Sequence, residues 1–202
     1  MAKHEIMNKR CIILIDCQYD FIRGGKLACE NADKQMDVLT DYIKTKSSEY
    51  IDIIATADWH PITHCSFKQN GGPFPVHCLA HSRGAAIYEP LVEACYNAKA
   101  DFAVFTKGDD PDHEQFSIVK NDKSWSQIKA LIKANGIDEI VVAGIAGEYC
   151  VKDSIKDIHK DMPNMKISAL LPCIGYLSAE GEKEFVKWIN EEHPSTNIIN
   201  EI

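Results

Sequence analysis

The chain has no apolar run approaching the roughly 20 residues that a membrane-spanning helix needs. Its first apolar run, residues 11–15 (CIILI), is too short for the core of a secretion signal. These absences lead to the expectation of a cytoplasmic protein with no membrane partner. Basic clusters are missing as well. Lys and Arg number 22 against 30 Asp and Glu, for a net charge of -8. An acidic chain without a basic patch cannot grip phosphate backbones, so nucleic acid is excluded as an expected partner. No internal repeat, low-complexity tract or linker interrupts the 202 residues, which are read as one domain, 1–202. There is no CxxC pair among the eight cysteines, which argues against a zinc ribbon. Several of those cysteines sit inside strand-like apolar runs. In a chain of this length they read as free thiols rather than disulfides, with catalysis or metal binding left for one or two.

What is present is alternation. Continuously apolar runs at 11–15, 51–55, 102–106, 140–143 and 167–171 read as strands covered on both faces. Between them, Met36, Leu39, Tyr42 and Ile43 keep one helical face apolar. So do Trp125, Ile128, Leu131 and Ile132, then Val151, Ile155 and Ile158, and finally Phe185, Val186, Trp188 and Ile189. Strand–helix alternation predicts an α/β fold, a three-layer α/β/α sandwich around a mostly parallel open sheet of five or six strands. Two stretches, 61–78 and 108–123, are long and loop-like, as functional loops often are.

Reactive residue types stand just past the strand ends. Asp16 follows the first strand, Asp58 and His60 the second, Lys107 the third, and Cys150 the fourth after a short turn. In an open parallel sheet, sites gather outside the carboxyl ends of the strands. Cys150, in VVAGIAGEYC, falls where a strand turns into a helix. Helix-start N–H groups there would favour thiolate and hold a developing oxyanion. Taken singly, Cys150 reads as an inert buried thiol, Asp16 as a cap or loop acceptor, and Lys107 as a lysine emerging into solvent. Together, an acid, a cation and a thiol on one edge form an activated-nucleophile set. The segment ADWHPITHCSF supplies Asp58, His60 and His64, and GGPFPVHC supplies His77. One carboxylate and two imidazoles suit a borderline divalent ion, the alternative being a polar histidine-rich loop. The acidic run 108–114 (GDDPDHE) fits no calcium loop and is expected to be solvated.

The segments ILIDCQYDFIRGGKL, VFTKG and VVAGIAGEYCV, in this order, resemble the isochorismatase-like cysteine hydrolases and, within them, the nicotinamidases. The likeness runs from about residue 10 to about residue 190. It implies an Asp16–Lys107–Cys150 triad, a cis peptide between Ile145 and Ala146, and an oxyanion hole from the N–H groups of Ala146 and Cys150. It further implies one divalent metal, zinc first with iron or manganese as alternatives, on Asp58, His60 and His77, with the role of His64 left open. Phe21, Phe74 and Tyr149 match pocket-lining positions. The implied activity is hydrolysis of nicotinamide, with carbamoyl or ureido amides, or a silent binding role, as alternatives. Related proteins are often oligomers, so a homo-oligomer is expected from the likeness alone. The chain departs from the family at Gly147-Glu148, where a Thr-Asp pair is common, and at 115–118, where a Tyr-Ser-Ala-Phe run is common.

Overall fold

A computed structural model of the chain describes residues 9–202. In chain order the elements are β1 (Arg10–Ile15), α1 (Ala32–Lys46), β2 (Asp52–Asp58), α2 (Glu89–Tyr96) and β3 (Asp101–Lys107). They continue with α3 (Asp122–Asn135), β4 (Glu139–Ile145), α4 (Lys152–Asp161), β5 (Lys166–Gly175), α5 (Ala179–Glu192) and β6 (Thr196–Ile199). The six strands form one sheet in the order β3-β2-β1-β4-β5-β6, and every neighbouring pair is parallel.

The pleat of β1 explains the layers. Ile12 and Leu14 join Met36, Leu39 and Ile43 of α1 and Leu91 and Cys95 of α2 on one face. Cys11, Ile13 and Ile15 join Trp125 and Ile128 of α3, Ile155 of α4 and Phe185 of α5 on the other. Alternate residues of a strand point to opposite faces, so an unbroken apolar run is what a doubly covered strand requires. The α/β reading is thereby realised. Two elements were not legible: β6 is only four residues long, and α2, EPLVEACY, is too short for a clear helical period. No helix among the described residues is long and apolar enough to cross a membrane.

Strand order reverses at β1. The chain runs outward through β2 and β3 on one side and through β4, β5 and β6 on the other. This opens a crevice past the carboxyl ends of β1 and β4. The register of β4 shifts between Val142 and Gly144. Gly144 has φ 119, and a Cβ there would collide with the carbonyl of Ile15. Only glycine lets β4 close against the end of β1 at this point, which brings the segment after β4 up to Asp16.

Candidate active site

Asp16 leaves β1 with φ 48, a left-handed conformation uncommon outside glycine. Thr56 of β2 holds it there. The Asp16 N–H donates to the Thr56 carbonyl at 3.2 Å, and the Thr56 hydroxyl donates to Asp16 Oδ1 at 2.8 Å. Lys107 ends β3, the sheet edge, and lies beside Asp58 in the ladder. Its side chain is fully buried and reaches inward. Nζ is 2.8 Å from Asp16 Oδ2 and 2.5 Å from Asp58 Oδ1, and it donates to Cys150 Sγ at 3.6 Å. Cys150 stands in a π-helical turn, Gly147–Val151, that joins β4 to α4. The structure thus brings Asp16, Lys107 and Cys150 together from three strand ends.

Their charges follow from enclosure. Burial raises the Asp16 carboxyl to about 6; Lys107 pulls it back and Asp58 pushes it further up. Burial opposes the Lys107 charge, but Asp16, Asp58 and Cys150 outweigh it, so the ammonium persists well above its usual range. Burial also pushes the Cys150 thiol well above its usual range, with Lys107 opposing and both carboxylates adding to the rise. The helix start that suggested a thiolate from sequence is therefore offset by the enclosure, and the resting group is a thiol next to a carboxylate. The peptide between Ile145 and Ala146 is cis. Among the described residues, the N–H groups of Ala146 and Cys150 donate to no loop or cap carbonyl.

Beside this set, Asp58, His60 and His77 each offer a ligand atom, all within 4.8 Å of one another. The His60 Nδ1 donates to the Gly108 carbonyl at 2.8 Å and the His77 Nδ1 to the Pro75 carbonyl at 2.8 Å. These bonds fix the tautomers and turn both Nε2 lone pairs inward, the arrangement a metal-ligating histidine adopts. The Nε2 of His60 is buried and makes no hydrogen bond among the described residues, so the donor set fits a divalent ion. Gly108, at φ 70, allows the approach, since a Cβ there would press on the His60 ring. His77 is held below its usual range by burial, in the neutral form a ligand needs. His64 lies outside this three-atom group. Its ring lies tilted against that of His60, with centroids 4.1 Å apart, and its Nδ1 pairs with the Ser66 hydroxyl at 2.7 Å.

A cavity joins the two clusters. Phe21, Phe74 and Tyr149 line it, together with Asp58, His77, Ala146 and Cys150. Sequence reasoning missed Leu27, Cys29, Glu114, Phe116 and Leu177, which also line it. Phe116 completes an aromatic wall. Ring centroids are 5.7 Å apart from His77 to Phe74, 6.4 Å from Phe74 to Phe116, and 5.6 Å from Phe116 to Tyr149. Its signal lay in the 115–118 run, where the chain departs from the family pattern yet carries an aromatic residue. The acidic loop is solvated at Asp109, Asp112 and His113, as expected, but Glu114 turns into the cavity.

The family model for the isochorismatase domain matches residues 10–161. The chain belongs to the isochorismatase family. Among curated relatives of this family member, the nicotinamidase of Escherichia coli K12 is 33% identical over 168 residues, covering 75% of this chain and 76% of that one. The nicotinamidase/pyrazinamidase of Mycobacterium tuberculosis H37Rv is 30% identical over 152 residues, covering 73% and 77%. Among solved structures, the pyrazinamidase of Pyrococcus horikoshii in complex with zinc superposes with a TM-score of 0.79 at 26% identity, covering 96% of this chain and 99% of that one.

Proposed function

We propose that this isochorismatase-family protein is a nicotinamidase, one hydrolase domain that converts nicotinamide to nicotinate and ammonia. It is a cysteine amidohydrolase acting on a non-peptide C–N bond. The observation that carries the choice of substrate is the cavity. Phe21, Phe74, Phe116 and Tyr149 line one cavity together with Asp58 and His77 of the candidate metal cluster and Cys150, so an aromatic ring amide placed there could turn its ring nitrogen to the cluster and its amide carbon to Cys150. The Escherichia coli nicotinamidase and the Mycobacterium tuberculosis nicotinamidase/pyrazinamidase, both relatives of this chain, support the reading.

Asp16 accepts the Cys150 proton as Sγ bonds to the carboxamide carbon. A free thiolate is costly in this enclosure, so proton transfer accompanies attack rather than preceding it. The Ala146 and Cys150 N–H groups receive the oxyanion. Asp16 gives its proton to the amide nitrogen, the C–N bond breaks, and ammonia leaves a thioester on Cys150. Water then loses a proton to Asp16 and attacks the thioester carbon. Collapse releases nicotinic acid, which ionises to nicotinate by losing its carboxyl proton to solvent, and Asp16 returns its proton to the Cys150 sulfur. Lys107 keeps its charge throughout and balances Asp16 and Asp58. A divalent ion, zinc first with iron or manganese as alternatives, would be held by Asp58, His60 and His77 and would supply a Lewis-acid contact for the pyridine nitrogen.

The test is ammonia release from nicotinamide by the purified protein, before and after chelation and after return of zinc, iron or manganese. Loss on chelation and recovery with metal are expected. No release from metal-loaded protein with a reactive Cys150 would overturn the choice of substrate and turn the search to carbamoyl or ureido amides.

Two further results are expected. His77→Ala should weaken zinc binding, measured by calorimetry on metal-free protein, by at least the ~10–100-fold that loss of a mere supporting partner costs. An unchanged affinity would remove His77 from the site. Activity should also fall as pH drops through about 6, because Asp16 must be a carboxylate to take the thiol proton. A kcat/KM profile flat from pH 7 to pH 5 would exclude Asp16 as the base.

A further inference from the structure

The two residues at which the chain departs from its family before the nucleophile, Gly147 and Glu148, meet consecutive residues of the segment joining β5 to α5. A Cβ at Gly147 would run into the Tyr176 ring, so the missing side chain admits that ring. The Glu148 carboxylate accepts the Leu177 N–H with both oxygens, at 2.9 and 3.2 Å. It lies over the first turn of α5, where Ser178 caps the helix and accepts from the Gly181 N–H at 3.2 Å. A Cβ at Gly181 would strike Glu148 Oε1. The space for the carboxylate therefore exists only because that position is glycine, and the helix start favours its negative charge.

Leu177 is 40% exposed, yet it lines the active-site cavity, and Tyr149, beside Glu148 in the π turn, is 41% exposed and lines it too. Neither is locked by burial in the core. The Leu177 backbone is tied to the nucleophile turn by Glu148. We propose that Glu148 is a specificity-determining positioning residue: by clasping Leu177 it holds that wall of the cavity closed over the ring site, which keeps the slot narrow and selects flat, unsubstituted ring amides over bulkier ones. The proposal takes Cys150 as nucleophile from the function above but does not require that the ring be nicotinamide.

The experiment compares the metal-loaded parent with Glu148→Ala and Glu148→Gln. One readout is kcat and KM on nicotinamide. The other is the rate of Cys150 alkylation, followed by mass spectrometry, for small iodoacetamide and for bulky N-phenylmaleimide. In Glu148→Ala, KM should rise about tenfold, the size of one charge-assisted hydrogen bond, while kcat falls by less. The ratio of N-phenylmaleimide to iodoacetamide rates should increase. Glu148→Gln, which keeps an acceptor for Leu177, should lie close to the parent in both. If Glu148→Ala does not fold, Gly181→Ala, which displaces the carboxylate, should give the same shifts. A lowered melting temperature with KM and the alkylation ratio unchanged would overturn the proposal, because a purely structural clasp moves only the first. If the parent does not hydrolyse nicotinamide, the alkylation ratio still decides this point while the substrate assignment fails.

Discussion

Cys150→Ala is expected to lower ammonia release by at least about a thousand-fold, the scale on which loss of a nucleophile acts when it works as a unit with its base. The fold should survive. The side chain stands at the wall of a cavity rather than in a packed core, and its removal uncovers no charge. Lys107 would keep both its carboxylate partners. Cys150→Ser makes the stricter comparison. It preserves size, but in the same enclosure, where burial already opposes the thiolate, an alkoxide is harder still to form. Both variants should melt within a few degrees of the parent and keep their zinc affinity. Parent-like turnover by a well-folded Cys150→Ala protein would end the covalent mechanism.

Lys107→Met should be the most damaging single change in the protein. The ammonium is fully buried and is the cation that faces Asp16 and Asp58 together. Removing it strands two carboxylates in the interior, and breaking a buried pair in this way costs about 3–5 kcal/mol. The loss has a pH signature. Asp16 already titrates above the ordinary aspartate range because of burial, and Lys107 is what pulls it back. Without Lys107 its folded pKa rises further. A group whose folded pKa lies above its unfolded value adds stability below the unfolded pKa and loses it as pH rises through the folded one. The variant should therefore be least stable in alkali and recover as pH falls toward 5, measured by urea melts across that range. Pairing it with Asp16→Asn should restore part of the loss at pH 8, since one stranded charge is then gone. Equal stability of Lys107→Met and parent at pH 8 would contradict the charge balance described here.

The ease with which different parts could be read follows from their physics. Unbroken apolar runs declare doubly covered strands, so five of the six strands and the layered architecture were legible. The short β6 carries too few residues to show a pattern, and α2 too few turns to show a period. At the site, Asp16, Asp58, Lys107 and Cys150 were visible because each stands just past an apolar run, and the family likeness supplied the roles proposed for them. Phe116, Glu114 and Leu177 were not. They come from loops and from a strand-to-helix join, where side-chain direction depends on turns that the sequence does not encode by period. Glu114 shows this most plainly. Asp109, Asp112 and His113 of the same acidic run are exposed while it lines the cavity, and nothing in GDDPDHE separates it from them.

The sequence by itself determined the parallel α/β architecture, the strand-end positions of the reactive residues and the carboxylate and imidazoles beside them, because these depend on hydrophobic pattern and residue chemistry. Only the tertiary structure decided that Lys107 reaches Asp16, Asp58 and Cys150 at once, that His64 stands outside the group formed by Asp58, His60 and His77, that the Cys150 thiol is enclosed, and that the Glu148 carboxylate accepts the Leu177 N–H. Those outcomes depend on distance and enclosure. A lysine at the sheet edge becomes the centre of the site only when its side chain crosses β2, and a thiol at a helix start is governed by its burial more than by the helix.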